Sequence, residues 1–197
     1  MTLDLEIQRL LRTEEVRKIN FSMAGICVSG RGFYELSDCF SDHPIRHRIR
    51  VTVRPQLVGP NADAAYDPEN DKINLRSPSV LQTVSGRGNV IHECTHAQID
   101  LRAISTPIRS EEAAAFIAEA LYYLSCNEDI PTVSPGFPLD VVGIAANLRE
   151  QALQSPGIVV ALTADQINLA REAMAQFGYR SGHYFSNGIR GHRYRGD

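Results

Sequence analysis

The feature that most constrains this chain is the pentapeptide HECTH at positions 92–96, in which two histidines stand four residues apart. Residues i and i+4 lie one above the other on the same face of an α-helix. On a helix, the imidazoles of His92 and His96 can therefore converge on one Zn²⁺ ion, at the ~2.0–2.1 Å that this ion prefers for nitrogen. We therefore predict a helix over residues 89–102 that presents a metal site on one face.

The glutamate inside this pentapeptide points to hydrolytic chemistry. Each residue advances about 100° around a helix, so Glu93 lies beside the histidine face and need not bind the metal. Its carboxylate can reach a water molecule at an open metal position and take a proton from it, while the metal lowers the pKa of that water. The HExxH pattern thus predicts a catalytic centre in which Glu93 is the general base.

A catalytic zinc site has three protein ligands and one open position. Residues 111–125 predict a second helix, and a helix–loop–helix turn would bring its start beside His96. Three glutamates are candidates for the third ligand: Glu111, Glu112 and Glu119. Helical periodicity alone does not separate Glu111 from Glu112, because the two flank opposite sides of the apolar face. At the helix start, the positive end of the helix dipole favours an ionised carboxylate.

Residues 92–100 read HECTHAQID, which resembles the HExTHAxxD pattern of the active-site helix in thermolysin-type peptidases. These enzymes are gluzincins, in which a glutamate on a following helix completes the zinc site. The resemblance selects Glu112, because segment 111–116 (EEAAAF) falls where gluzincins often carry NExxxD. It implies a zinc peptidase in which two histidines and Glu112 hold the metal and Glu93 moves the proton.

The sequence departs from the gluzincin pattern at Phe116, where the family has an aspartate that orients the first zinc-binding histidine. Support for His92 must then come from another residue, and Asp100 is our candidate. The resemblance covers residues 64–125, so it implies a minimal peptidase core. Small single-domain metallopeptidases that cleave phage-type repressors have a similar helix pair, and segment 111–118 (EEAAAFIA) also resembles their ExxAxxFA-like second helix.

Peptide hydrolysis also needs a group that stabilises the developing oxyanion beside the metal. In related enzymes this group is a histidine or a tyrosine from further along the chain. His183, in a GHY stretch near the C-terminus, is our first candidate for this catalytic role. The other candidates are Tyr122, Tyr123, Tyr179 and Tyr184.

The remaining patterns predict an α+β fold. Apolar and polar residues alternate over residues 48–58, which predicts a strand. A turn rich in Pro, Asn and Asp predicts a hairpin over residues 64–76. This hairpin resembles the strand pair above the active helix of such peptidases, whose edge strand can pair with an extended peptide. Residues 21–42 stay unassigned. Further helices are predicted at 4–18, 140–154 and 163–177. The expected architecture is a small N-terminal antiparallel sheet followed by the active-site helices of a minimal zincin-like core.

Composition narrows the class of protein. The 197 residues suit one domain, which we expect to span 1–197 with a core over about 48–178 and a flexible basic tail at 179–197. The net charge of −3 gives no reason to expect nucleic acid as a partner. The sequence has no apolar run of the ~20 residues that a membrane helix needs, and its N-terminus does not resemble a secretory signal. We expect a cytoplasmic protein, with export by a specialised secretion system as the alternative.

These observations favour a zinc-dependent metallopeptidase that acts on a protein or peptide substrate. The first alternative is a zinc-binding module without catalysis that serves in regulation or interaction. The second is a toxin or effector whose peptidase domain attacks a host or competitor protein. The sequence indicates neither the cleavage specificity nor the oligomeric state.

Overall fold

The computed structural model describes residues 2–40, 48–130 and 137–184, so residues 185–197 of the predicted tail lie outside the described residues. Within these ranges the chain mixes helices with short strands, which confirms the α+β class. The helices are α1 (Leu3–Leu10), α2 (Glu14–Arg17), α3 (Gly30–Ser37), α4 (Val84–Leu101), α5 (Ile108–Ser125), α6 (Leu139–Gln154) and α7 (Ala164–Gln176). The strands are β1 (Asn20–Met23), β2 (Ile26–Ser29), β3 (Arg50–Val53), β4 (Ala64–Asp67), β5 (Lys72–Leu75), β6 (Thr106–Pro107), β7 (Val160–Ala161) and β8 (His183–Tyr184).

The N-terminal region differs from its prediction in two ways. The predicted helix 4–18 is divided into α1 and α2. Between them, the Arg12 side chain donates hydrogen bonds to the side chains of Ser37 and Asp38, at 2.7 Å each. The unassigned segment that follows contains the β1–β2 hairpin. Its two turn residues, Ala24 and Gly25, have φ of 50° and 84°. Such left-handed pairs are typical of the tight turns that match the twist of paired strands.

The strands form small sheets in which parallel and antiparallel pairs mix. One sheet has the order β2-β1-β7, and β7 runs parallel to β1. A second has the order β3-β5-β4. Its β4–β5 pair is the predicted antiparallel hairpin, with Tyr66 opposite Ile73. The expectation of an antiparallel sheet is wrong for β3, which runs parallel to β5. Between these two strands the chain passes through β4, which runs in the opposite direction. Strands β3 and β5 therefore run in the same direction.

Helices α4 and α5 pack side by side and carry the candidate site. Helix α4 begins at Val84 rather than at the predicted 89, because the Thr83 side chain caps it by accepting the N–H of Gly86 at 3.0 Å. Gly88 in this helix allows close packing, since a Cβ there would lie 2.9 Å from the ring of Tyr123.

Gly86→Ala should destabilise the protein by at least about 2 kcal/mol, because the new Cβ would lie 1.9 Å from the backbone oxygen of Val80 and the helix would have to shift. The matched control is Gly143→Ala on α6, where a new Cβ would meet no atom of the described residues within 4 Å. This control should stabilise the protein by about 0.5–1 kcal/mol through helix propensity. Urea unfolding measures both values, and equal stability of the two variants would contradict the packing described for α4.

The C-terminal part of the described chain folds back onto the start of α5. Helix α7 confirms the predicted helix at 163–177. It begins with a capping box of Thr163 and Gln166, and Gly178 follows its end with φ of 101°. The chain then returns along α5. The Arg109 side chain donates to the Tyr179 carbonyl at 3.0 Å, and β8 pairs with β6. The first residues of the predicted tail are therefore held against the helix that carries Glu112.

The buried apolar side chains of the described residues form one continuous core that runs from Ile7 on α1 to Met174 on α7. Helix α5 lies at its centre, with small residues such as Ala113, Ala114 and Ala118 buried along it. Helices α4, α6 and α7 each pack against it. Among the described helices, none is both long and apolar enough to cross a membrane.

Candidate metal centre

Helix α4 presents both histidines of the HExxH segment on one face. Their ring centroids lie 5.1 Å apart. The Nε2 atoms of His92 and His96 lie 3.6 Å and 3.8 Å from the same oxygen, Oε2 of Glu112. One ligand atom from each of these three residues falls within 4.8 Å of the others. His92, His96 and Glu112 therefore form a group that could bind a metal ion.

The first turn of α5 separates the roles of the two adjacent glutamates. Glu112 faces the Nε2 atoms of both histidines, where a metal ligand has to be. Glu111 is buried, and its Oε1 lies 2.7 Å from Nδ1 of His96. Helical periodicity does not decide which of these two glutamates is the third ligand. The packing of α5 against α4 decides it, because this packing fixes which side of the turn faces the Nε2 atoms of the histidines.

Each histidine has a carboxylate at its Nδ1 atom. Oε2 of Glu119 lies 3.1 Å from Nδ1 of His92, and Oε1 of Glu111 lies 2.7 Å from Nδ1 of His96. An ionised carboxylate only accepts hydrogen bonds, so Nδ1 of each ring carries a proton, and Nε2 is the nitrogen that can bind a metal once its own proton is displaced. The two outer carboxylates thus fix the tautomer that metal binding requires.

Support for His92 therefore comes from Glu119 and not from Asp100, whose Oδ2 accepts a hydrogen bond from the Tyr66 hydroxyl at 2.9 Å. The residue at the position of the family's aspartate, Phe116, meets the His92 ring edge-on with centroids 4.7 Å apart. Glu119 lies seven residues after Glu112, two turns along the same face of α5. That spacing is visible in the sequence, although there it indicated only a candidate ligand.

The charges around the histidines favour a cation between them. Burial alone lowers the pKa of His92, but hydrogen bonds to Glu112 and Glu119 raise this pKa well above its ordinary value. The pKa of His96 is likewise raised, against the effect of burial, by Glu112 and Glu111. Although burial raises the pKa of Glu112, the two histidines bring it down to about 2. The donor set is thus two imidazoles and an ionised carboxylate in a negative surrounding, which fits a divalent metal ion.

Glu93 lies next to this group and is held by a strand. Its Oε2 accepts the backbone N–H of Tyr66 on β4 at 2.7 Å. Burial raises the pKa of Glu93, while His92 and His96 act in the opposite direction. Strand β4 stands at one edge of its sheet and passes over α4 at this point. The carboxylate is therefore fixed beside the metal-binding group without belonging to it.

A cavity of about 630 Å³ opens beside these residues. His92, Glu93 and Glu119 line one part of it, and Phe116 and Tyr179 line another. This volume is within the range of small-molecule and peptide side-chain sites. Of the group that could bind a metal, His92 lines this cavity, which is large enough for a small substrate.

The candidates for oxyanion stabilisation fall in different places. Tyr179 lines the cavity, and its hydroxyl is hydrogen-bonded to Glu112. Tyr123 lines the cavity too, whereas the Tyr122 hydroxyl accepts a hydrogen bond from Arg87 at 2.8 Å on another side of α5. His183 is exposed on β8 and is not among the described residues that line the cavity.

The Tyr184 side chain lies outside what the structure describes. Among the candidates it does describe, Tyr179 is the one that contacts the metal-binding group. Burial and the nearby Glu112 raise the pKa of Tyr179 above its ordinary value, so its phenol keeps its proton at neutral pH. The sequence named this residue as one of several, and the return of the chain along α5 distinguishes it from the others.

Comparisons of the chain with protein-family models, with curated proteins and with solved structures found no match.

Proposed function

We propose that this protein is a zinc-dependent metallopeptidase that hydrolyses bonds in a protein or peptide substrate. The observation that carries the proposal is the convergence of His92, His96 and Glu112 beside Glu93. Two of these four residues, His92 and Glu93, line an open cavity. Two histidines, a carboxylate ligand and a separate acid–base carboxylate are the parts that metal-assisted hydrolysis needs.

The metal would be held by the Nε2 atoms of the two histidines and by Glu112. Bound there, Zn²⁺ would act as a Lewis acid on the substrate carbonyl and would lower the pKa of a water molecule. Glu111 and Glu119 hold the Nδ1 atoms of both imidazoles, so that each Nε2 faces the metal position before the ion arrives.

Glu93 would be the general base and then the general acid. Because the Tyr66 N–H holds one carboxylate oxygen in place, the other oxygen can take a proton from the attacking water. The same carboxyl group then gives this proton to the amine that leaves. Holding the carboxylate by a backbone donor limits the geometries it can sample, which favours transfer over a short, fixed distance.

Tyr179 would stabilise the negative charge that develops on the carbonyl oxygen. Its phenol is neutral, lines the cavity and already donates to an anionic partner, Glu112. A donor of this kind lowers the barrier when it points at the position that the oxyanion occupies. We prefer Tyr179 to His183 for this role, because His183 is exposed on β8.

A substrate in extended conformation would bind along β4. This strand pairs with β5 on one side only, within the described residues, and Tyr66 on it contacts Glu93 directly. An extended peptide can add to such an edge through main-chain hydrogen bonds. A peptide bound there would run past the acid–base residue, which is consistent with cleavage of a peptide bond.

The zinc-loaded protein should cleave a mixture of peptides of diverse sequence, and mass spectrometry should detect new termini. Removing the metal with a chelator should abolish cleavage, and adding zinc back should restore it, because the metal activates both the water molecule and the substrate carbonyl. Tight zinc binding without any cleavage would overturn the peptidase proposal and favour the zinc-binding module without catalysis.

A further inference from the structure

Asn89 lies on α4 one turn before His92 and joins two separate parts of the protein. Its Oδ1 accepts the backbone N–H of Asp63 at 2.9 Å. Its Nδ2 donates to Oε1 of Glu119 at 2.8 Å. One side chain therefore connects the segment before β4 to the outer carboxylate of the metal site.

The connection continues to the metal-binding group. Glu119 is only 3% exposed, and its second oxygen, Oε2, lies 3.1 Å from Nδ1 of His92. Three consecutive hydrogen bonds thus run from the Asp63 backbone through Asn89 and Glu119 to His92. Both oxygens of Glu119 are engaged in this chain, so rotating the carboxylate away from either partner would affect the other.

A carboxamide fits this position for a chemical reason. The site needs an acceptor for a backbone N–H on one side and a donor for a carboxylate on the other, and an asparagine side chain supplies one of each. These partners also fix which end of the amide faces which neighbour, since the reverse orientation would oppose two donors and two acceptors. Asn89 is therefore held in one orientation by both of its neighbours.

The segment at the other end of the chain is a wall of the candidate substrate cavity. Residues 59–63, which we call the pocket loop, line this cavity together with Arg76. The Arg76 side chain donates to the carbonyl of Ala62 at 2.7 Å and to that of Gly59, which holds the loop to β5. The Asn89 bond holds the loop to α4, one turn from the first histidine.

We propose that Asn89 is a positioning residue that couples the pocket loop to His92 through Glu119. Loading of the metal site and ordering of the loop then stabilise each other, since a coupling free energy between two sites is reciprocal. The inference rests on the metal-binding part of the proposed function and is independent of which substrate is cleaved.

Asn89→Ala should lower zinc affinity about 10-fold, the lower end of the 10- to 100-fold range for losing a direct partner of a metal ligand, because Asn89 acts on His92 through Glu119. Affinity is measured by competition with a chelating dye. The matched control is Asn147→Ala on α6, whose exposed side chain bonds Gln151 and Gln166 and should leave zinc affinity unchanged. Asn89→Ser serves as the second variant if the alanine variant does not fold, because a hydroxyl is too short to span both partners.

Two further readouts distinguish positioning from a merely structural role. With Co²⁺ in place of zinc, the visible absorption bands of Asn89→Ala should shift, because the geometry of His92 changes. In a Glu119→Gln background the effect of Asn89→Ala on zinc affinity should largely disappear, since residues that act in one chain are not additive. Fully additive effects would overturn the proposal, as would wild-type zinc affinity in both Asn89 variants.

Hydrogen exchange tests the loop end of the chain without a variant. Zinc should slow exchange of the Asp63 amide in the wild-type protein, and Glu119→Gln should remove this slowing. Exchange at Asp63 that is independent of zinc would overturn the coupling while leaving the metal site intact. If the wild-type protein took up no zinc at all, the proposed function and this inference would both fail. Failure of the coupling alone is therefore distinguishable from failure of the proposed function.

Discussion

Glu93→Gln should lower peptide hydrolysis by about 10²- to 10⁴-fold and leave zinc binding almost unchanged. General acid–base catalysis contributes a factor of this size, which corresponds to about 3–5 kcal/mol of transition-state stabilisation. Glutamine keeps the side-chain length and can still accept the Tyr66 N–H through its amide oxygen. It cannot take a proton from water at neutral pH, so the loss should fall on kcat and not on substrate binding.

The measurement is a comparison of initial rates between wild type and variant at equal zinc occupancy, with zinc quantified in the same samples. The matched control is Glu69→Gln, an exposed glutamate in the turn between β4 and β5, which should hydrolyse at the wild-type rate. A Glu93→Gln variant that kept full activity would show that another group moves the proton, and the mechanism proposed above would be wrong.

His96→Ala should lower zinc affinity by at least about 100-fold and abolish hydrolysis with it. Zinc held by protein ligands binds with about 10–16 kcal/mol in small structural sites, so one ligand of three accounts for several kcal/mol. The substitution also leaves the buried carboxylate of Glu111 without its imidazole partner. Loss of a partner inside the protein is destabilising in itself, so thermal unfolding in the presence of chelator is measured alongside.

His96→Asn separates the two effects, because its amide lies at the position of Nδ1 and can still donate to Glu111, but it is too short to reach the metal position and offers no imidazole nitrogen. Zinc affinity should fall as in His96→Ala, while the stability of the metal-free protein should recover in part. His183→Ala is the control for a histidine outside the ligand set and should bind zinc like the wild type. Equal zinc affinity in His96→Asn and wild type would exclude His96 as a ligand.

The local part of the site was predictable from the sequence because it depends on helix geometry alone. The i, i+4 spacing of His92 and His96 fixes their common face, and Glu93 follows at the side of that face. The β4–β5 hairpin was equally local, since the turn residues between its strands are explicit in the sequence. Features of this kind depend on neighbours within a few residues, which a single sequence displays directly.

The contacts around the site were less predictable because they depend on how distant elements pack. Nothing in the spacing of Glu119 showed that it would lie against Nδ1 of His92, and the position of Tyr179 depends on the return of the chain after α7. The β1–β2 hairpin was not predictable because Gly25 alone marks its turn, while Ala24, which has no turn preference, adopts a left-handed conformation. In each case tertiary packing overrides a weak or ambiguous local pattern.

The most direct test of the central claim is a crystal structure of the zinc-loaded protein with anomalous data collected at the zinc absorption edge. The account predicts one strong peak within about 2.0–2.2 Å of the Nε2 atoms of His92 and His96 and of a carboxylate oxygen of Glu112. Glu93 should lie beside this peak, too far from it to be a ligand. A peak at another set of residues, or crystals that contain no bound zinc at saturating concentration, would contradict the account.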